Sequence, residues 1–307
     1  MVGIDVLGGM PGVPVDPPLR NGVSSVTGKR PTIVSISDIH GYLRPARSAL
    51  LTLADHPEYD SVVEAGRLGE LQWAGGERFV LVFNGDLIDR GPHNAAVVEM
   101  VERLATQAPP GHVRVTLGNH EMGVLTPDLF DWGDWYSTAR TDEQRRAFAG
   151  SVRDGHVVAA YEGYNVIYAH AGRPQPYEPA ALNDAFAGAV GEFEAAIGEP
   201  ADPDRQERLV EGVPRVFGVD GPTGRGPEAG VAWLDFEWLP ADAPPQVVGH
   251  TRQDSPVQRG NVVCGNVIRN NRRRDGGEAV VVETPERLVA LRRRADGGVS
   301  ETPFELP

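Results

Sequence analysis

At 307 residues, 40% hydrophobic and 23% charged, the chain is long enough to bury a substantial core and has the composition of a globular protein rather than a disordered or fibrous one. Its net charge of −14 disfavours a general nucleic-acid or anionic-membrane surface. No apolar run approaches the roughly 20 residues of a spanning helix, and the single Cys264 excludes an internal disulfide, so a reducing cytoplasm is the expected location.

Residues 1–30 hold six glycines and four prolines with no helical or strand period, and are expected to be a mobile tail. They lack a basic start followed by an apolar run, so they make a poor signal peptide. Residues 31–307 show no internal repeat and no clean linker, and are expected to form one domain. Thr32–Ser37 reads as a strand that enters Asp38-Ile39-His40-Gly41. Pro45 suits the first turn of a helix through Leu50, Leu51 and Leu53. A second helix is expected over about 60–73, ending near Gly75-Gly76.

Phe79-Val80-Leu81-Val82-Phe83 is an apolar run that reads as a fully buried strand. It delivers Gly85-Asp86-Leu87-Ile88-Asp89-Arg90-Gly91, two carboxylates and an arginine in a glycine-bounded loop. Val97, Val98, Val101 and Leu104 keep a helical period to Ala105, and Pro109-Pro110 closes that helix. His112–Leu117 is a third strand, entering Gly118-Asn119-His120-Glu121. Trp132, Trp135 and Tyr136 lie in a polar stretch that suits a lid, a substrate-facing wall or a packed aromatic cluster.

Thr141-x-x-Gln144 is a capping box opening a helix to about Asp154. Residues 156–161 and 165–170 read as a hairpin around Glu162-Gly163, ending in Ala169-His170-Ala171-Gly172. Residues 179–212 are expected to be helical and 218–230 a glycine- and proline-rich loop. Gln246-Val247-Val248 is a short strand leading to Gly249-His250-Thr251. Strands with tight turns are expected over 257–268, 278–283 and 287–292.

Five strand-end loops therefore offer Asp38, His40, Asp86, Asp89, Asn119, His120, His170 and His250. Carboxylate, imidazole and amide oxygen together suit a pair of borderline-hard divalent ions. An aspartate bridging two ions about 3.5–4 Å apart would create a hydroxide nucleophile and clamp both oxygens of an in-line displacement at phosphorus. Each histidine singly also fits a structural role. His56, His93, His112 and His156 lie in no comparable loop and read as structural or surface groups.

The five motifs together resemble those of the calcineurin-like metallophosphoesterases. Their order and spacing are similar to the phosphoprotein phosphatase branch, which holds Ser/Thr protein phosphatases and symmetrical diadenosine tetraphosphatases. The resemblance spans about residues 32–252. It implies an α/β (α+β) fold, a four-layer αββα sandwich of two mixed sheets flanked by helices. It implies two divalent metal ions, manganese or iron, with zinc as an option in one position. The first ion would take Asp38, His40 and the shared Asp86; the second would take Asp86, Asn119, His170 and His250. His120 corresponds to the general acid and Asp89 to the carboxylate that orients it. Arg90 corresponds to a phosphate clamp, its planar fork suited to two phosphoryl oxygens, and Asn119 also lies against the phosphate.

Three departures bear on these roles. Leu117 precedes Gly118 where many protein phosphatases have an arginine. Trp233-Leu234-Asp235 places an acid near the position of a second phosphate-binding arginine, leaving Arg225 in Gly224-Arg225-Gly226 as a substitute or a solvated loop residue. Thr251-Arg252 follows Gly249-His250 without the further histidine of other branches. The expected activity is hydrolysis of phosphate monoesters on phosphoserine or phosphothreonine proteins, with a dinucleoside polyphosphate or another small phosphorylated metabolite as the alternative substrate. A catalytically silent relative would lack ligands, and none is missing. Arg272-Arg273-Arg274 and Arg292-Arg293-Arg294 read as solvated faces, so neither nucleic acid nor membrane is expected as a partner. Lys29 is the only lysine among 29 basic residues, which fits either a GC-rich genome or an acidic surface suited to high salt.

Overall fold

Alternation along the first strands sets the layers. In the computed structural model, which describes residues 15–26, 28, 30–130 and 132–306, the first half of the chain runs α1 (Pro17–Asn21), β1 (Thr32–Ile36), α2 (Leu43–Leu50), β2 (Val63–Ala65), β3 (Leu71–Trp73), β4 (Phe79–Phe83), α3 (Asn94–Gln107), β5 (Val113–Thr116) and α4 (Asn119–Leu125). There follow α5 (Asp142–Arg153), β6 (Val157–Val158), β7 (Tyr161–Glu162), β8 (Ile167–Tyr168), α6 (Pro179–Glu194), α7 (Asp202–Gly212) and α8 (Pro214–Phe217). The last part holds β9 (Gln246–Val248), β10 (Val257–Arg259), β11 (Val262–Cys264), α9 (Ile268–Asn271), β12 (Ala279–Thr284), β13 (Arg287–Arg293) and β14 (Val299–Phe304).

One seven-stranded sheet has the order β14-β13-β12-β1-β4-β5-β6, and a second, five-stranded sheet the order β10-β11-β9-β8-β7. Both are mixed. β1, β4, β5 and β6 are parallel while β12, β13 and β14 run antiparallel; β8, β9 and β11 are parallel with antiparallel neighbours at both edges. Ile33, Val80, Val82, Val281 and Leu288 of the first sheet share one buried cluster with Tyr161, Tyr168, Val247 and Val263 of the second. The alternate residues Val34, Ile36, Leu81 and Phe83 point the other way, into a cluster with Leu50, Val97, Val101 and Leu104 of α2 and α3. The period of two thus sends one set between the sheets and the other under the helices. Each fully buried aliphatic or aromatic side chain contributes roughly 1.5–3 kcal/mol. The result is the helix-flanked pair of mixed sheets that the resemblance implied.

Three expectations are corrected. Residues 60–73 form the β2–β3 hairpin, not a helix: Gly66 and Gly69 make the turn, and Val63 and Leu71 are buried while Glu64 and Gln72 are not. Residues 156–161 and 165–170 do not form a single hairpin; β6 joins the first sheet beside β5, and only β7 pairs with β8. Within residues 1–30, expected to lack structure, Pro17–Asn21 is helical, and Val23 and Val26 are buried between the sheets. Residues 1–14 of that stretch lie outside the described residues. Residues 179–212, expected to be helical, hold α6 and α7.

A buried ion pair ties α4 to the helices behind it. Arg145 in α5 donates to Asp202 in α7 through Nη1 to Oδ2 at 2.6 Å and Nη2 to Oδ1 at 2.9 Å, and also to the carbonyls of Val124 and Leu125 at the end of α4. Burial would raise the Asp202 carboxyl, but hydrogen bonds from Arg145, the Gly198 amide and Gln206 hold it below its ordinary value of 3.8. Asp202→Asn is expected to cost about 3 kcal/mol in urea unfolding at neutral pH, because it leaves the buried guanidinium with only the exposed Asp142, at 3.1 Å, as a counter-charge. A depressed carboxyl stabilises the fold above its unfolded pKa and loses that contribution as pH falls through the folded one. The difference between parent and variant should therefore shrink below about pH 4. A constant difference from pH 7 to pH 3 would contradict the assignment.

Candidate metal centre

The five sequence loops converge at the carboxyl ends of the parallel strands. Asp38 and His40 follow β1, Asp86, Asp89 and Arg90 follow β4, Asn119 and His120 open α4 after β5, His170 follows β8 and His250 follows β9. The loops are laced together through backbone bonds: the Asp38 amide to Gly85 O at 3.0 Å, His40 to Asp86 O at 2.8 Å, and Gly249 to His170 O at 2.7 Å. Seven described non-glycine residues have a clearly positive φ. Six of them are Asp38 at 54°, His40 at 49°, Asp86 at 54°, Asp89 at 69°, Arg90 at 65° and His250 at 59°. A left-handed backbone at such residues costs roughly 1–3 kcal/mol each and is held by its surroundings, commonly where function requires it.

Asp86 is the centre. Its Oδ2 lies 3.5 Å from His40 Nε2, 3.4 Å from His170 Nε2 and 4.0 Å from His120 Nε2. His40 Nε2 is also 3.9 Å from Asp38 Oδ1, and His170 Nε2 is 3.1 Å from His250 Nδ1. Two groups, His40 with Asp86 and His120, and Asp86 with His170 and His250, place their ligand atoms within 4.8 Å of one another. The far nitrogens of His40 and His170 are fixed: His40 Nδ1 faces Ile88 O at 3.0 Å and His170 Nδ1 faces Asn84 O at 3.0 Å, the outer bond that orients a ligating imidazole. Asp38 Oδ1, Asn119 Oδ1 and His250 Nε2 are buried without a hydrogen-bond partner among the described residues. Hard carboxylate and amide oxygens beside imidazole nitrogens, left unsatisfied in a buried pocket, fit divalent cations.

The electrostatics follow from burial and proximity. Burial raises the Asp38 carboxyl to about 7, although His170 opposes it. Burial alone would raise Asp86 too, but the imidazoles of His170, His120 and His40 outweigh it and hold it well below the usual carboxylate range. The same pairing, against burial, raises His170 to about 9. Burial lowers His40 to about 3 and pushes His250 well below its ordinary value, His170 adding to the latter. A site that strains both acids and bases in opposite directions is what a bound cation would relieve.

His120 stands apart. Its Nδ1 meets Asp89 Oδ2 at 2.7 Å, and Asp89 in turn accepts from the Ser137 amide at 2.9 Å and the Ser137 hydroxyl at 2.8 Å. The imidazole is stacked on Trp135 and Trp132, with centroids 4.8 and 5.4 Å away. The Arg90 guanidinium lies 4.0 Å over the Trp135 ring. Of the readings open for residues 126–137, the packed aromatic cluster is the one found: Trp132 and Tyr136 pack against the core, and Trp132 meets Phe130, Trp135 and Trp233 beside His120. Ser137 carried no signal in the sequence, because its role depends on a loop folding back 48 residues onto Asp89. Glu121 was legible only as part of its motif; its carboxylate accepts the Asp86, Leu87 and Gly118 amides at 2.8, 2.8 and 3.1 Å and clamps two loops together.

A profile described as calcineurin-like phosphoesterase matches residues 31–191, just over half of the sequence. The chain belongs to the calcineurin-like phosphoesterases. As a member of that family it is a metal-dependent phosphoester hydrolase, and the His/Asp groups around Asp86 are its candidate metal-binding residues. No curated protein matches the sequence. Among solved structures it is similar to a cold-active protein tyrosine phosphatase, with a TM-score of 0.63 at 18% identity over 95% of this chain and 84% of that one. It is also similar to the cold-active protein-tyrosine phosphatase of a psychrophilic Shewanella species, with a TM-score of 0.60 at 20% identity over 94% and 84%. At these identities the likeness establishes the fold. No helix among the described residues is long and apolar enough to cross a membrane.

Arg225, expected as a substitute phosphate-binding arginine or a solvated loop residue, is partly buried. Arg225 lies beside His250, but its Nη2 is 3.0 Å from Asp235 Oδ2 and 3.2 Å from Thr251 Oγ1. Asp235 also accepts from the Thr251 hydroxyl at 2.9 Å. The acid found near the expected arginine position is thus neutralised by the arginine proposed as its substitute. The glycines of the motifs are steric requirements. A Cβ on Gly249 would collide with Asp38 Oδ2, and one on Gly85 with the His170 ring. Gly249→Ala is expected to lower metal content at least about tenfold at limiting metal, since a displaced ligand typically costs 10–100-fold in affinity; unchanged metal uptake by titration would refute the collision argument.

Proposed function

We propose that the chain is a dinuclear phosphomonoesterase acting on phosphoserine or phosphothreonine in proteins. The observation that carries this reading is the Asp89–His120 pair at 2.7 Å, buried beside Asp86 and aiming Nε2 into the ligand cluster. A dedicated acid matters most where the leaving group is a poor one, and an alkoxide is poorer than a phenoxide. Asp38, His40 and Asp86 would hold one cation, and Asp86, Asn119, His170 and His250 the other. The two ions, for which manganese and iron are the proposed pair, supply Lewis-acid charge and activate the attacking water. Arg90 would bind two phosphoryl oxygens through its fork, with Trp135 fixing the guanidinium plane. Asp89, itself fixed by Ser137, would accept from His120 Nδ1–H and so hold the ring with Nε2 facing the leaving oxygen.

A second reading has its own support. The Trp132–Trp135 wall next to Arg90 offers a face for an aryl group, and the similar structures are named protein tyrosine phosphatases. The test is one peptide sequence carrying phosphoserine, phosphothreonine or phosphotyrosine, alongside diadenosine tetraphosphate, with manganese, iron and zinc added back singly. The expected order of kcat/KM is phosphothreonine and phosphoserine above phosphotyrosine by about tenfold. The reverse order would establish the aryl reading, and a nucleotide cleaved far faster than any peptide would displace both.

A further inference from the structure

The arginine runs read from the sequence as solvated faces are exposed at Arg272, Arg273, Arg274 and Arg294, and those side chains share one concavity. Arg272, Arg273 and Arg274, at the end of α9, and Arg293 and Arg294, at the end of β13, line one cavity of about 780 Å³ together with Arg44 of α2. Only Asp275 and Glu278 line it as acids. Three of the six arginines have acidic partners: Arg274 with Asp254 at 3.7 Å, Arg293 with Asp55 at 2.7 Å and Arg294 with Asp296 at 3.1 Å. Arg44, Arg272 and Arg273 form no ion pair with a described residue, although the whole protein has 43 acids against 29 bases. Uncompensated like charges in one concavity repel one another, and an anion is what lowers that energy.

The cavity borders the metal centre. Tyr42, two residues after His40, and Pro92 and His93, directly after the Arg90 loop, form its near wall. The Arg272 guanidinium stands 5.8 Å over the Tyr42 ring and bonds to the Arg269 carbonyl. Between cavity and centre, Arg90, Arg252 and Arg269 are neighbours: after burial, repulsion from Arg90 and Arg252 lowers Arg269, while burial lowers Arg90 against the attraction of Asp86 and Asp89, with Arg252 adding to the lowering. A cationic track thus runs from the phosphate clamp at Arg90 through Arg269 to Arg272.

We propose that this cavity is a second anion subsite, in which Arg44, Arg272 and Arg273 hold a non-scissile phosphoryl group of a substrate that carries two. The proposal rests on the phosphomonoesterase reading for the scissile group alone. A dianionic phosphoryl group matches paired guanidinium forks in charge and geometry. Such a substrate would be a doubly phosphorylated peptide or a small bisphosphate, and the experiment separates these sources.

One arm compares a singly phosphorylated peptide with versions bearing a second phosphate two to four residues to either side. The other compares alkyl monophosphates with α,ω-alkanediol bisphosphates of increasing length. In at least one arm the second phosphate is expected to raise kcat/KM about tenfold, through KM, at 50 mM salt, and less at 300 mM. In Arg44→Gln/Arg273→Gln that ratio should fall to near one, while Arg273→Lys retains part of it. A ratio near one in the parent protein in both arms, or a ratio the double variant leaves unchanged, overturns the proposal while leaving the phosphatase reading intact. If no phosphate ester is hydrolysed with any metal, that reading fails. Fluorescence anisotropy with the doubly and singly phosphorylated peptides then still decides the subsite by the same ratio of affinities.

Discussion

Asp86→Asn should lose bound divalent metal and phosphatase activity together, with kcat/KM falling on the order of 10³-fold or more. The substitution preserves shape: the remaining amide oxygen can still accept from the His120 amide, as Asp86 Oδ1 does at 3.0 Å. What it removes is a single negative charge facing three imidazoles within 4.0 Å. That charge is what raises His170 to about 9 and what both ligand groups share. Without it, each proposed metal loses an anionic ligand at once, so elemental analysis of the purified variant should find both ions depleted. Excess manganese should restore little activity, because a neutral amide oxygen cannot bridge two cations as a carboxylate does. Full metal occupancy in this variant would remove Asp86 from the bridging role. Retained turnover in a variant depleted of metal would remove the dinuclear mechanism altogether.

The sequence made the strand-end loops legible for a physical reason. A fully apolar pentapeptide such as Phe79–Phe83 can only be a buried strand or a buried helix segment, and the glycines after it force the chain to turn. Burial at all five positions bears this out. The same reasoning failed at 60–73, where Val63 and Leu71 match a helical face as well as a hairpin. Turn geometry at Gly66 and Gly69 decided for the hairpin, supported by Glu70 accepting the Leu68 amide at 3.1 Å. It failed too at Val23 and Val26, because two apolar residues amid glycine and proline carry no period, yet they fill the edge of the inter-sheet core.

Site residues divide the same way. Asp38, His40, Asp86, Asn119, His120, His170 and His250 were nameable because each sits at a fixed offset from a strand end. The convergence of His40, His120, His170 and His250 on Asp86 follows from the fold, whose first sheet places β4 between β1 and β5. Ser137 and the arginine cavity were not nameable, since both depend on contacts between segments far apart in the chain. Arg225 illustrates the converse. Its loop suggested a phosphate ligand, but only the fold shows that Asp235 lies 3.0 Å away.

His120→Asn should keep both metals and slow turnover in proportion to leaving-group basicity, by about 10²–10⁴-fold for alkyl phosphates and far less for para-nitrophenyl phosphate. The geometry gives the reason. His120 Nε2 is the outermost of the three imidazole nitrogens around Asp86 Oδ2, at 4.0 Å against 3.4 and 3.5 Å, while its Nδ1 is committed to Asp89. A residue so held can deliver a proton at Nε2 without leaving the stack on Trp132 and Trp135. Asparagine keeps a polar group in place but has no proton of suitable acidity, so the departing alkoxide must leave unprotonated. Plotted against leaving-group pKa, log(kcat/KM) should therefore fall more steeply for the variant than for the parent protein. Asp89→Asn should move in the same direction by a smaller amount, and the double variant should lose little beyond His120→Asn alone, because the two residues act as one unit. Equal losses across leaving groups, or a variant depleted of metal, would instead make His120 a ligand, as its distance from Asp86 also permits.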